Sequence, residues 1–514
     1  MNIGIDHSDM GEGIENYERG AGILLHISSL PGAPYIGDIG QPAIAFAEFL
    51  HQSAQSVWQM LPINPTAATQ GYSPYSSLSS MAGNPLLISM EALVRDGWLD
   101  RKDLQRTSSS AKVQFSRAGE YKYKLLRKAW KRWNKTSSPA EKTAFTDYCA
   151  RQDYWLNSYA LYTLLKQIHK DAPWFRWRSQ YRDRDEAALQ KLRDDYAEEF
   201  DYIRWVQMVF DRQWQALKSF CSSLDISLFG DVPIYVAHDS ADVWSHRGIF
   251  ALNDEGMPAE IAGVPPDLFN ADGQLWGMPV FNWNVLKETR YRWWVQRFRR
   301  NLQWFNLVRL DHFRGFSSYW SVPAGAKSAK TGRWMQGPGD HFFEIIEEEL
   351  GGLPFVAEDL GEIDQPVYQL RDKFNLPGMN VLQFAFGEDM PASNYLPHQY
   401  TRNSIVYTGT HDNNTTVGWF NEASRTERNN LSQYIGGKIN PRNVASAMIR
   451  LAYMSVAKLA IVPMQDVLSL DKSARMNMPA SSEGNWAWRL LRNQLTKESS
   501  QQLKTWSFYY GRSK

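Results

Sequence analysis

Two cysteines in 514 residues, Cys149 and Cys221, are too few for a disulfide framework or a cysteine-built zinc site, and neither stands in a CxxC pair. That usage fits a reducing cytoplasm. No run approaches the 18 apolar residues a membrane span requires, so Asn-x-Ser/Thr sites such as Asn134 carry no glycosylation meaning. Excess charge is missing too: Lys and Arg total 56 against 55 Asp and Glu, which leaves no electrostatic footprint for nucleic acid or an anionic membrane and points to an uncharged ligand. The basic run near Lys122 to Lys135 is offset by the acidic residues from Asp183 to Asp201. A P-loop, a GxGxxG after a strand and an HExxH are all absent, and the ten histidines are scattered. His238, His246, His312 and His411 therefore read as hydrogen-bonding residues, and no metal or cofactor is implied. Met1 to Arg19 has neither a basic start nor an apolar stretch, which excludes a secretory signal and reads as a loose leader.

Aromatic residues are plentiful, at 13% with 21 tryptophans and 24 tyrosines. Their rings join a flat apolar face to a polar edge, which suits a pyranose as well as a core. The most informative feature is a recurring pattern in which an apolar, strand-like run ends in a carboxylate. It occurs at Asp311, after Val308-Arg-Leu, at Glu358, after Val356-Ala, and at Asp412, after Thr408-Gly-Thr-His. A charged residue just past a buried parallel strand stands at the rim of a barrel, where such folds place their chemistry. Two carboxylates from different strands can face each other across a sugar, one attacking the anomeric carbon while the other protonates the leaving oxygen. A third can hold ring hydroxyls. Arg309 precedes Asp311 by two residues, so on a strand it shares that residue's face and would keep the carboxylate ionised. Taken singly, each segment also reads as a helix entry, a capping turn or a structural ion pair.

Eight strand candidates follow in order: Gly22–Ile27, Val57–Leu61, Ile226–Val236, Phe305–Asp311, Pro354–Glu358, Asn380–Phe386, Ile405–Thr410 and Leu459–Met464. Amphipathic helical patterns such as Gln41–Gln52 and Val444–Lys458 lie between them, and the alternation predicts an α/β fold, a (β/α)8 barrel, over residues 20–514. Two gaps exceed one helix. Residues 85–225 read as a mainly helical, charged insertion, and residues 245–285 as an irregular, aromatic-bearing loop beside the active site.

With these residues assembled, the chain resembles the amylomaltases, the 4-alpha-glucanotransferases or disproportionating enzymes of glycoside hydrolase family 77. The signposts are Gly22-Ile-Leu-Leu-His-Ile-Ser-Ser-Leu-Pro31, Gly71-Tyr-Ser-Pro-Tyr75, Gly230-Asp-Val-Pro-Ile-Tyr235, Ala262-Gly-Val-Pro-Pro-Asp267, Val308-Arg-Leu-Asp-His-Phe313, Ala357-Glu-Asp-Leu-Gly361, Thr410-His-Asp412 and Arg475-Met-Asn-Met-Pro479. The resemblance implies a TIM barrel with helical and loop insertions and no separate C-terminal β-domain. It implies Asp311 as nucleophile, Glu358 as general acid and base, and Asp412 as transition-state stabiliser. Arg309, Asp231, His312 and His411 are implied to bind the sugar directly, with Ser73, Tyr75, Asp267, Gln274, Trp276 and Asn477 contacting glucose units on either side of the scissile bond. The implied activity is retaining transfer of α-1,4-glucan segments to the 4-hydroxyl of another glucan or glucose, through a covalent β-glycosyl-enzyme. Two alternatives stay open, an α-amylase-type hydrolase and a glucan-binding barrel without catalysis. Ala480 and Ser481 depart from the Gly-Thr that usually follows the last signpost, which bears on the backbone near Asn477.

Overall fold

The apolar runs seen in the sequence are buried on both faces, as strands of a parallel sheet covered by helices must be: every residue of Phe355–Ala357, Ser404–Tyr407 and Leu459–Pro463 is buried. The computed structural model describes residues 18–105, 110–266, 271–361, 363–479, 481 and 484–513. The expected leader and Asp267 lie outside the described residues, apart from Glu18 and Arg19.

The described residues form twelve strands: β1 (Gly20–Leu24), β2 (Val57–Gln59), β3 (Ser227–Pro233), β4 (Glu260–Val264), β5 (Gln274–Pro279), β6 (Leu307–Asp311), β7 (Ser318–Pro323), β8 (Arg333–Gln336), β9 (Phe355–Ala357), β10 (Gly378–Val381), β11 (Ser404–Tyr407) and β12 (Leu459–Pro463). Eight of them make one parallel sheet in the order β10-β11-β12-β1-β2-β3-β6-β9. The amide of Ala357 at the end of β9 donates to the carbonyl of Pro377, next to β10, at 2.9 Å and draws the two edges together. This is the expected barrel, built from the eight anticipated strands, with helices between most of them. The helix Gln41–Gln52 shows why: Ala43, Phe46, Ala47 and Leu50 fall on one side, Pro42 stands at its start, and the Phe46 ring meets the Trp58 ring of β2 at 4.9 Å. After β12 the described residues hold no strand; the final helix, Lys497–Tyr509, contacts Gln41–Gln52.

Between β2 and β3 the chain runs through the helices Phe115–Thr136, Pro139–Arg151, Asp153–Ile168, Glu186–Asp195 and Ala197–Ser223. A buried carboxylate joins them to the barrel. Asp211 accepts two 2.8 Å bonds from Arg300, one of 2.8 Å from the Trp304 indole and one of 2.7 Å from the Tyr148 hydroxyl. Such full pairing is what makes a buried charge tolerable.

The segment read as an irregular loop is more ordered than its composition suggests. It contains β4 and β5, which join β7 and β8 in a four-stranded antiparallel sheet of order β5-β4-β7-β8. Neither the sheet nor the excursion between β6 and β9 that supplies β7 and β8 was anticipated. A register shift between Ile261 and Gly263, together with the Gly and Pro residues, breaks the pattern that would have revealed β4. The signal in β5 was present, because Gln274, Trp276 and Met278 alternate in exposure with Leu275 and Gly277. Among the described residues no helix is long and apolar enough to cross a membrane.

Candidate active site

On β6, Arg309 and Asp311 fall two residues apart and share a face, and β3 lies alongside with Asp231 in register with Arg309. At Gly230, next to Asp231, the Phe305 ring lies 2.2 Å from where a Cβ would stand, so only glycine allows this close approach. The Arg309 guanidinium is the centre of the site. Its Nη1 donates to both Asp231 oxygens at 2.9 Å and lies 2.7 Å from Asp311 Oδ1, while Nη2 stands 4.0 Å from Glu358 Oε2. Burial opposes a charged Arg309, yet Asp231 and Asp311 raise its pKa above the ordinary value. The guanidinium therefore stays charged.

Glu358 follows β9 and is stitched to the end of β6. Its amide donates to the Leu310 carbonyl at 3.1 Å, and its carbonyl accepts from the Phe313 amide at 3.1 Å. Its side-chain Oε2 accepts from the amide of His312 at 2.7 Å, and Oε1 from that of Leu360 at 3.3 Å. The His312 amide reaches Oε2 where the backbone turns left-handed, at φ +53°. Burial pushes the Glu358 carboxyl up to about 8; Arg309 opposes the rise and the charge of Asp311 adds to it. Burial also pushes His312 down to about 4, so its ring is neutral near pH 7.

Asp412 stands just beyond β11. Its Oδ1 accepts from Asn477 Nδ2 at 2.6 Å, and Oδ2 lies 3.3 Å from His411 Nε2. Burial works against ionisation there, but His411, Asn477 and Arg309 hold the carboxyl well below the usual carboxylate range. Arg475 donates to the carbonyls of Asp412 at 2.6 Å and Asn477 at 2.7 Å, which locks the two segments together. Tyr75 links the halves: its hydroxyl donates to Asp231 Oδ2 at 2.7 Å, and its ring stacks on His411 with centroids 5.1 Å apart. The Ser73 hydroxyl accepts from the Tyr75 amide at 3.2 Å and so supports that ring.

Trp276, on β5, stands edge-to-face with His312 at 4.8 Å and donates to Gln274 Oε1 at 3.1 Å. Twelve of the thirteen residues named from the sequence thus converge on one mouth of the barrel, and Asp267 lies outside the described residues. Arg475 and His26 stand within the signposts without an implied role. His26 is buried and its pKa is pushed down to about 3, by burial first and by His411 second. The arrangement offers one carboxylate paired with a cation, Asp311 on Arg309, and one buried carboxyl kept protonated, Glu358, the pairing that acid-assisted displacement at a sugar carbon needs.

Comparison with known proteins agrees. The sequence profile of glycoside hydrolase family 77, 4-alpha-glucanotransferase, matches residues 25–495. The chain is 44% identical over 500 residues to the 4-alpha-glucanotransferase of Synechocystis, covering 96% of this chain and 98% of that one. It is 42% identical over 492 residues to that of Thermus thermophilus, covering 95% and 97%. The solved amylomaltase of Streptococcus agalactiae, in complex with acarbose, superposes with a TM-score of 0.93 at 34% identity and covers 97% of this chain and 100% of that one. A barrel rim carrying three carboxylates around one arginine, on a chain alike from end to end to these proteins, belongs to the 4-alpha-glucanotransferase family, the enzymes of glucan transglycosylation.

Proposed function

We propose that transfer proceeds by double displacement at Asp311. Its carboxylate, held by Arg309, attacks C1 of an α-1,4-linked glucose while protonated Glu358 donates to the departing O4, leaving a β-linked glycosyl-enzyme. Glu358, now ionised, takes the proton from the 4-hydroxyl of a second glucan, whose oxygen attacks C1 and restores the α linkage. Two inversions give retention. Asp412, held ionised by His411 and Asn477, accepts hydrogen bonds from ring hydroxyls as positive charge develops at C1. Asp231, His312, His411, Ser73, Tyr75, Gln274, Trp276 and Asn477 bind glucose units around the scissile bond, and Asp267 is assigned with them on its signpost alone.

The observation that carries this reading is the split between the carboxyls around Arg309: Asp311 is ion-paired at 2.7 Å, whereas Glu358 is buried and raised to about 8. The segment about 245–285 serves as a lid carrying Trp276 and Gln274, and the segment about 85–225 as a helical insertion. Buried, unpaired Cys149 and Cys221 suit a cytoplasmic location. Incubation with pure maltotriose is the test. Glucose and a ladder of longer maltooligosaccharides are expected without a net gain in reducing ends; a net gain would mean a hydrolase instead.

A further inference from the structure

Each strand of a (β/α)8 barrel is normally followed by a helix that covers its outer face. The chain between β10 and β11 breaks that rule, having only the short turns Leu382–Phe384 and Pro397–Gln399 and no α-helix. In its place lies an open cavity of about 710 Å³, between the helix Gln365–Lys373 and the 394–403 segment, reaching β8. That volume falls within the range of small-molecule sites, roughly 300 to 1,000 Å³.

Its lining has the chemistry of a carbohydrate site. Trp334 projects from β8 with 44% of its surface exposed, and Tyr368 and Tyr395 add two half-buried rings. Asn380, Asn394 and Gln399 face the same space, and their side-chain amides make no hydrogen bond to any described residue. Asn380 is the more telling, because an outward position on a barrel strand is ordinarily apolar. Charge is balanced: Arg371 pairs with Asp359 at 2.5 Å and Arg314 with Asp364 at 3.1 Å, so the wall selects no ion. Flat rings beside amides with unused donors and acceptors, and no net charge, match a neutral polyhydroxylated ligand.

We propose that this trough is a second, non-catalytic binding site for an α-glucan segment, tethering a long chain while another part of it occupies the active site. The inference rests on the glucan-transfer reading. Its effect is that of a linked second module: long glucans gain affinity and short ones do not.

Affinity electrophoresis of Trp334→Ala and Tyr368→Ala in gels containing glycogen tests it, with kinetics on maltotriose and on long amylose. Loss of one ring should weaken retention by about tenfold, and Trp334→Phe should restore most of it. The KM for amylose should rise while maltotriose turnover and melting temperature stay within the range of the unaltered enzyme. Unchanged retention in both alanine variants overturns the proposal, as does a parallel fall in maltotriose turnover, which would assign the rings to the active site or the fold. If the unaltered enzyme leaves maltotriose intact, the transfer reading fails, while retention still decides whether the trough holds glucan.

Discussion

Asp231 and Arg309 face each other in register across the neighbouring parallel strands β3 and β6, with one guanidinium nitrogen 2.9 Å from both carboxylate oxygens. Arg309 cannot turn away from Asp311 without breaking this pair. Asp231→Asn should therefore leave Arg309 poorly anchored and lower transfer about a hundredfold, the scale of a misplacement by about 1 Å. It should also cost about 3 to 5 kcal/mol of stability, because both partners are buried and the cation loses a counter-charge. Maltotriose turnover and chemical denaturation check the two effects separately. A variant that matches the parent in both would remove the anchoring role.

The raised pKa of Glu358 fixes a sign for pH. In the unfolded chain this group ionises near 4.5, and in the folded enzyme near 8. Between those values the folded state holds a proton that the unfolded state has lost, so this residue's contribution to stability falls as pH rises through the window and levels off above about 8. Glu358→Gln removes the slope. Relative to the parent, the variant should be more stable at pH 8.5 than at pH 5, by on the order of 1 to 3 kcal/mol. Denaturant melts at the two pH values measure it, and the alkaline limb of kcat/KM in the parent should report the same ionisation.

Asp311→Asn and Glu358→Gln should each cut transfer by at least about a hundredfold, and only one should respond to azide. With an activated glucosyl donor, Glu358→Gln still forms the glycosyl-enzyme, and azide, needing no base, attacks it to give α-glucosyl azide. Asp311→Asn lacks the attacking group and should yield none. Equal azide products from both variants would reverse or abolish these roles.

Trp276 stands against His312 at the mouth of the site, which fits a platform for an acceptor ring. Trp276→Ala should weaken glucan acceptors by about 1 to 3 kcal/mol while leaving water unaffected, so hydrolysis should rise relative to transfer. Glucose transfer, reducing-end release and melting temperature on one preparation decide it. If both reactions and the melting temperature fall together, Trp276 only pins the β5 segment.

Much of the barrel was legible because its strands are short apolar runs buried on both faces, a pattern that survives in sequence whatever packs outside. The carboxylates at Asp311, Glu358 and Asp412 were legible for a related reason: a charge ending such a run has nowhere to sit except the rim. The four-stranded sheet was not. β4 and β7 contain Gly or Pro, β8 is largely exposed, and their pairing joins residues 260–279 to 318–336 across four intervening elements, β6 among them. The Arg475 clamp was hidden too, since it acts on main-chain carbonyls, and any residue type can offer one of those.

The stitching of Glu358 to residues 310–313 has a practical meaning for redesign. The gap between the Asp311 and Glu358 carboxyls is spanned mostly by main chain: the amide following Asp311 is itself the partner of Glu358. Main-chain hydrogen bonds act as the ruler, with the Arg309 guanidinium between the two carboxyls. On the roles proposed above, substitutions at Trp276, Gln274 or Asn477 should therefore alter which glucan docks, and how long it must be, while the stereochemical outcome stays the same.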